Sequence, residues 1–221
     1  MFARCRTAAH AGAMTHSPDA AALAEEWDER YTSLADRIPD GTPSAVLIET
    51  AEKLTPGAAL DIGCGVGSDA IWLAAQGWKS TALDVSRVAL DRATERGRRA
   101  GVDVNWVCSR LEDLPLPPGG FDLVTAHYPA LLHSPGADAE RTLLAAVAPG
   151  GTLLVVHHAD IDVDLAKAHG FDPADYLSHD DVIELLGEEW EVSVEKRRPR
   201  DVPAGIDGQH THDDIVLARR R

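Results

Sequence analysis

The sequence predicts an α/β fold: a three-layer sandwich on a seven-stranded, mostly parallel sheet with a C-terminal antiparallel hairpin. Three observations carry that expectation. Short apolar runs alternate with helical segments from residue 44 to residue 158, the signature of parallel strands covered on both faces. The glycine-rich turn GCGVG (63–67) joins the first such run to a helix. The last two strand-like runs, WEVSVEKR (190–197) and HDDIVLAR (212–219), have no helix between them and fit a hairpin closing one sheet edge.

The elements follow in order. Residues 1–18 mix small and polar residues without a continuous apolar segment, so they read as a flexible N-terminal extension and not as a secretory signal. Residues 19–221 form a single domain. AALAEEWDERYTSLADRI (21–38) is a helical cap, broken by Pro39, Gly41 and Pro43. SAVLIETAEKL (44–54) is an amphipathic helix with Ser44 as its cap. AALDI (58–62) is a buried strand, DAIWLAAQG (69–77) a short helix, and STALDV (80–85) the second strand. Ser86 caps a helix running to about Arg99. VDVNWV (102–107), FDLVTAH (121–127) and TLLVVHH (152–158) are further strands, with helix AERTLLAAV (139–147) and the turn Pro149-Gly150-Gly151 before the last. Residues 159–177 are acidic and irregular, a candidate lid, and SHDDVIELLG (178–187) is a capped helix.

Composition narrows the function. At 44% hydrophobic over 221 residues the chain has apolar surface for one core, and no apolar run is long enough to span a bilayer. A formal net charge of −15 repels phosphate backbones and anionic lipid at long range, which argues against nucleic-acid and membrane partners. Cys5, Cys64 and Cys108 show neither a disulfide framework nor zinc-like spacing, and a reducing cytoplasm fits them. No HExxH or comparable motif occurs. The adjacent His157 and His158 point to opposite faces of a strand and cannot share an ion, so no metal is expected.

The loop points to a ligand. In an open parallel sheet, ligands bind beyond the strand C-termini. Glycines there permit a tight turn and close ligand approach, and the following helix offers free backbone N–H groups. Asp84 ends the second strand 19 residues after Gly65, where a carboxylate can accept both hydroxyl protons of a ribose. Two cofactors use such a frame. A dinucleotide pattern fails from Gly63 but is met from Gly65, as G65-V-G67-S-D-A70. Asp61 favours the other. It would repel a pyrophosphate, whereas the ammonium and sulfonium of S-adenosylmethionine welcome a nearby carboxylate.

The stretches WDERY (27–31), LDIGCGVGSDAIWLA (60–74), ALDVS (82–86), FDLV (121–124) and APGGTLLVV (148–156) resemble the class I S-adenosylmethionine-dependent methyltransferases. Within that Rossmann-like family they look most like the small bacterial branch with tellurite-resistance and thiopurine methyltransferase-like proteins. The resemblance implies that Asp61, Gly63, Gly65 and Gly67 surround the methionine part of S-adenosyl-L-methionine. It implies that Asp84 takes the ribose hydroxyls, that Val85 packs near adenine and that Tyr31, with Arg30, covers the methionine end. One departure stands out. Arg110 occupies a position where the family often has an acid for the adenine amino group, and Leu111 N–H with Glu112 or Asp113 would have to compensate.

The resemblance also places His127 at the mouth between cofactor and acceptor; His157 ends the next strand and Tyr128 is a rim candidate, and these three are the candidate catalytic groups. The expected activity is methyl transfer to a small-molecule nucleophile: a thiol, a phenol or a metalloid. A thiol or phenol needs deprotonation, which His127 can perform. Two rival readings are an NAD-dependent oxidoreductase and a non-catalytic protein that binds S-adenosylmethionine.

Overall fold

A computed structural model describes residues 20–33, 41–117, 119–134, 136–168, 170–200 and 211–221. The expected extension, residues 1–18, lies outside them. The elements are α1 (Ala20–Ser33), α2 (Ala45–Ala51), β1 (Ala58–Ile62), α3 (Ser68–Ala75), β2 (Lys79–Asp84), α4 (Arg87–Ala100), β3 (Asn105–Cys108), β4 (Phe121–His127), α5 (Asp138–Ala146), β5 (Val147–His158), α6 (Val163–Ala168), α7 (His179–Leu185), β6 (Trp190–Pro199) and β7 (His212–Arg220).

The seven strands form one sheet in the order β3-β2-β1-β4-β5-β7-β6. The first five are parallel, and β7 runs antiparallel to both β5 and β6. This is the expected architecture. Strand order reverses between β1 and β4, so the turn after β1 and the end of β4 flank the switch point where such sheets bind ligands. β1 and β4 align Ile62 with Ala126, which sets Gly63 beside His127.

The two faces of the sheet carry separate apolar clusters. Leu60, Ile62, Leu83, Val124, Leu153 and Val155 point to one side, under α5 and α7. Leu123, Leu154 and Val156 point to the other, under α2 and α3 with Leu47 and Leu73. Period-two alternation along buried parallel strands produces this division.

Several local expectations need correction. Ser44 does not cap α2 with its side chain; its backbone N–H donates instead to Asp69 Oδ1 at 2.7 Å, tying α2 to α3. β3 is shorter than the run 102–107. β5 begins at Val147 and passes through Pro149-Gly150-Gly151, where a Cβ on Gly151 would lie 2.9 Å from the Phe121 carbonyl oxygen, so only a residue without a side chain fits. The segment 159–177 is not wholly irregular: it holds α6 and a single 3-10 turn, Pro173–Asp175. Its end bonds to the loop after β4, with Leu177 N–H donating to the Leu131 carbonyl at 2.8 Å. Among the described residues no helix is long and apolar enough to cross a membrane.

Candidate active site

The turn after β1 is built by three glycines with positive φ, Gly63 at 68°, Gly65 at 53° and Gly67 at 80°. At Gly67 the need is doubled, since a Cβ would sit 2.6 Å from the Trp106 ring. At Gly65 the Tyr31 hydroxyl occupies the corresponding space, 2.7 Å from where a Cβ would lie. Arg96 of α4 locks the turn from below, donating to the Val66 carbonyl at 2.6 Å and the Gly41 carbonyl at 3.1 Å.

Two buried carboxylates flank this turn. Asp84 accepts from Gly65 N–H through one oxygen and from Ser86 N–H through the other, each at 2.8 Å. Burial raises its pKa, and those backbone bonds oppose the rise. A carboxylate has about four lone-pair sites, so Asp84 keeps acceptor capacity toward the cleft. Asp61 is different. It is 3% exposed, and its Oδ2 has no hydrogen-bond partner. Burial, then Asp69 and Asp84, push its pKa well up.

Helix α1 covers this region. Asp28 accepts from the Ser86 hydroxyl at 2.6 Å and from Val88 N–H at 3.0 Å, which clamps α1 onto the start of α4. The clamp lays Trp27 and Tyr31 over Asp84, Val85, Leu111 and Glu112 in one half of the cleft. Burial, then Asp84, raise the Tyr31 pKa above that of a free phenol. Arg30 lies over the exposed side of Trp27, 5.1 Å from the ring centroid. Arg110 pairs with Glu112 at 3.3 Å and with Asp113 at 2.8 Å, so it engages both acids expected to compensate for it.

The other half of the cleft is polar. Asp61, Gly63, Gly65, Asp69, His127 and Tyr128 line it. His127 Nδ1 lies 2.9 Å from Asp69 Oδ2 and 3.2 Å from Thr125 Oγ1, while its buried Nε2 has no partner. Tyr128 has a positive φ of 51°, an uncommon conformation for a bulky residue. Its hydroxyl donates to Asp213 Oδ2 at 2.8 Å, its ring stacks on His158 at 4.0 Å, and the Arg200 guanidinium sits 5.0 Å away. Burial and the Asp213 bond raise its pKa.

Ten of the twelve expected residues line this cleft, namely Tyr31, Asp61, Gly63, Gly65, Asp84, Val85, Leu111, Glu112, His127 and Tyr128, and Gly67 shapes the turn that borders it. His157 does neither. Register explains why: His127 pairs with Val156, so the cleft face of β5 continues to His158, and His157 turns to the opposite face. There, burial and the neighbouring His179 lower its pKa to about 4. Asp28, Asp69 and Arg96 are site-building residues that the sequence reading missed. The signal for Asp69 was present, an acid in the first turn of the helix after the glycine loop. Among the described residues no three His, Cys, Asp or Glu side chains gather to hold a metal ion.

Residues 59–151 match the family model of a methyltransferase domain. A ubiquinone biosynthesis O-methyltransferase of Rickettsia conorii is 34% identical over 103 residues, covering 47% of this chain and 34% of that protein. A ribosomal RNA small subunit methyltransferase C of Alcanivorax borkumensis is 32% identical over 135 residues, covering 57% and 40%. The chain thus spans about two fifths or less of these curated relatives. The crystal structure of magnesium protoporphyrin IX methyltransferase from Synechocystis, with bound SAH, shares the fold at a TM-score of 0.67 and 19% identity, covering 92% of this chain and all of that one.

Proposed function

We propose that the protein transfers a methyl group from S-adenosyl-L-methionine to a small-molecule nucleophile. The observation that carries this reading is the unpartnered, buried Oδ2 of Asp61 beside a turn of three positive-φ glycines. An ionised carboxylate buried without a partner is costly, and a cationic ligand relieves that cost. An ammonium fits this requirement, and a pyrophosphate aggravates it, which disfavours the NAD reading.

S-adenosylmethionine supplies an electrophilic methyl group on a sulfonium. The chain's own residues do the rest. Asp61 and the backbone of Gly63, Gly65 and Gly67 hold the methionine end, beneath Tyr31. Asp84 orients the ribose hydroxyls, and Val85, Leu111 and Glu112 bound the adenine. α1 and the candidate lid at 159–177 exclude water, and His127 and Tyr128 face the acceptor. Much of the rate then comes from positioning.

The branch resemblance brings thiols, phenols and metalloids into range as acceptors. The name of the Rickettsia relative, an O-methyltransferase, supports an oxygen nucleophile, and the name of the Alcanivorax relative raises RNA. The formal net charge of −15 weighs against RNA. Non-catalytic binding gains support from Arg110, which occupies both acids near the adenine site. Incubation with methyl-labelled S-adenosylmethionine tests these readings against phenols, thiols, tellurite and ribosomal RNA. Label in a small molecule is the expected result. Label only in RNA, or none in any acceptor while the cofactor binds, would overturn it.

A further inference from the structure

Asp69 and His127 form a pair that the cofactor roles leave unused. Asp69 sits in the first turn of α3 and His127 at the end of β4, and both side chains are nearly buried, 13% and 9% exposed. One Asp69 oxygen is fixed by Ser44 N–H at 2.7 Å; the other faces His127 Nδ1 at 2.9 Å. A lone pair on Nδ1 would repel a carboxylate at that distance, so Nδ1 carries the proton and shares it between Asp69 and Thr125 Oγ1. The remaining nitrogen, Nε2, is then an acceptor, buried and without a protein partner, on a residue that lines the cleft.

We propose that Asp69 is a positioning residue that holds His127 as a base for an acceptor bearing a hydroxyl group, a phenol or enol. This deepens the methyltransferase reading and rests on it. A base is useful only to a nucleophile that still carries its proton near neutral pH. Phenols, with pKa values of about 10, qualify, whereas a pre-ionised chalcogen or metalloid anion does not. Charge agrees. In this half of the cleft the carboxylates Glu49, Asp61, Asp69 and Asp213 outnumber Arg198 and Arg200, which opposes an anionic acceptor.

The step balances. The hydroxyl proton passes to Nε2, the oxygen lone pair forms the new bond to the methyl carbon, and the S–CH3 bonding pair returns to sulfur. The neutral thioether and methyl ether leave, and His127 releases its proton to solvent.

Nuclear magnetic resonance of the histidine rings tests the pairing on the full chain loaded with S-adenosylhomocysteine. His127→Gln assigns the signal. The expected result is an Nδ1–H tautomer with a bare Nε2 in wild type, giving way to a mixture with the Nε2–H form in Asp69→Asn. Asp69→Glu should restore part of the Nδ1–H population. An Nε2–H tautomer in wild type, or a tautomer indifferent to Asp69→Asn, overturns the proposal while leaving the methyltransferase reading intact. Failure of the wild-type chain to bind S-adenosylhomocysteine overturns that reading instead, and with it the acceptor assignment. Tellurite methylation at equal rates in wild type and His127→Gln overturns the choice of a hydroxyl acceptor.

Discussion

Asp61 and Asp84 stand on neighbouring strands, both buried and both with raised pKa values, yet they are in opposite states. Asp84 receives two backbone N–H groups and is part of the loop's own structure. Asp61 leaves one oxygen without a partner. The same contrast divides the cleft. The half around Asp84 is assembled by hydrogen bonds through Asp28 and Ser86. Among the described residues, the half around Asp61 and His127 keeps three buried polar atoms without a hydrogen bond, Asp61 Oδ2, His127 Nε2 and Asp213 Oδ1, against one, Trp27 Nε1, in the half around Asp84. Satisfied groups make a scaffold, and unsatisfied ones await a ligand.

The sharpest way to break the comparison is Asp84→Ala. It removes the scaffold acid and the ribose contact together, so S-adenosylhomocysteine affinity should fall by roughly 100-fold or more, read by calorimetry. An undiminished affinity would mean that Asp84 serves the loop alone. Gly67→Ala comes next. A Cβ at φ 80° and 2.6 Å from Trp106 should destabilise the fold by roughly 2 to 4 kcal/mol in urea denaturation.

Asp61→Asn should act in the opposite sense on the unliganded chain. The folded-state pKa of Asp61 is raised, so the native state holds the proton more tightly than the unfolded chain does. The stability this contributes is full below the unfolded value of 3.8 and is lost as pH rises through the folded pKa. Asp61→Asn should flatten that slope in denaturation series run at increasing pH, and weaken S-adenosylhomocysteine about tenfold at neutral pH. A retained slope would locate the titration elsewhere. The smallest effect belongs to Arg110→Ala. Its partly exposed ion pairs contribute about 1 kcal/mol or less, and freeing Glu112 should tighten cofactor binding by about threefold at most.

The contrast also explains what could be read from the chain alone. The strands, the sheet class and the glycine turn were legible because each depends on local composition and spacing: LDIGCGVG carries its own geometry. Asp84 was legible because its distance from Gly65 is a sequence quantity. The contacts of Asp28 and Asp69 were not, since their partners Ser86 and His127 lie 58 residues away in each case, although an acid in the first turn after the glycine loop marked Asp69 as a candidate. His157 failed for a related reason. Which of two adjacent histidines faces the cleft depends on the β4–β5 register, and only strand pairing fixes that.

An unpaired acid at the loop favours a ligand with a cationic group over one with a pyrophosphate. Calorimetric titration of wild type and Asp61→Asn, with S-adenosylhomocysteine and NAD in parallel, tests it most directly. Wild type should bind S-adenosylhomocysteine and not NAD, and the substitution should cost most of that binding. Binding of NAD, strengthened when Asp61 loses its charge, would contradict it.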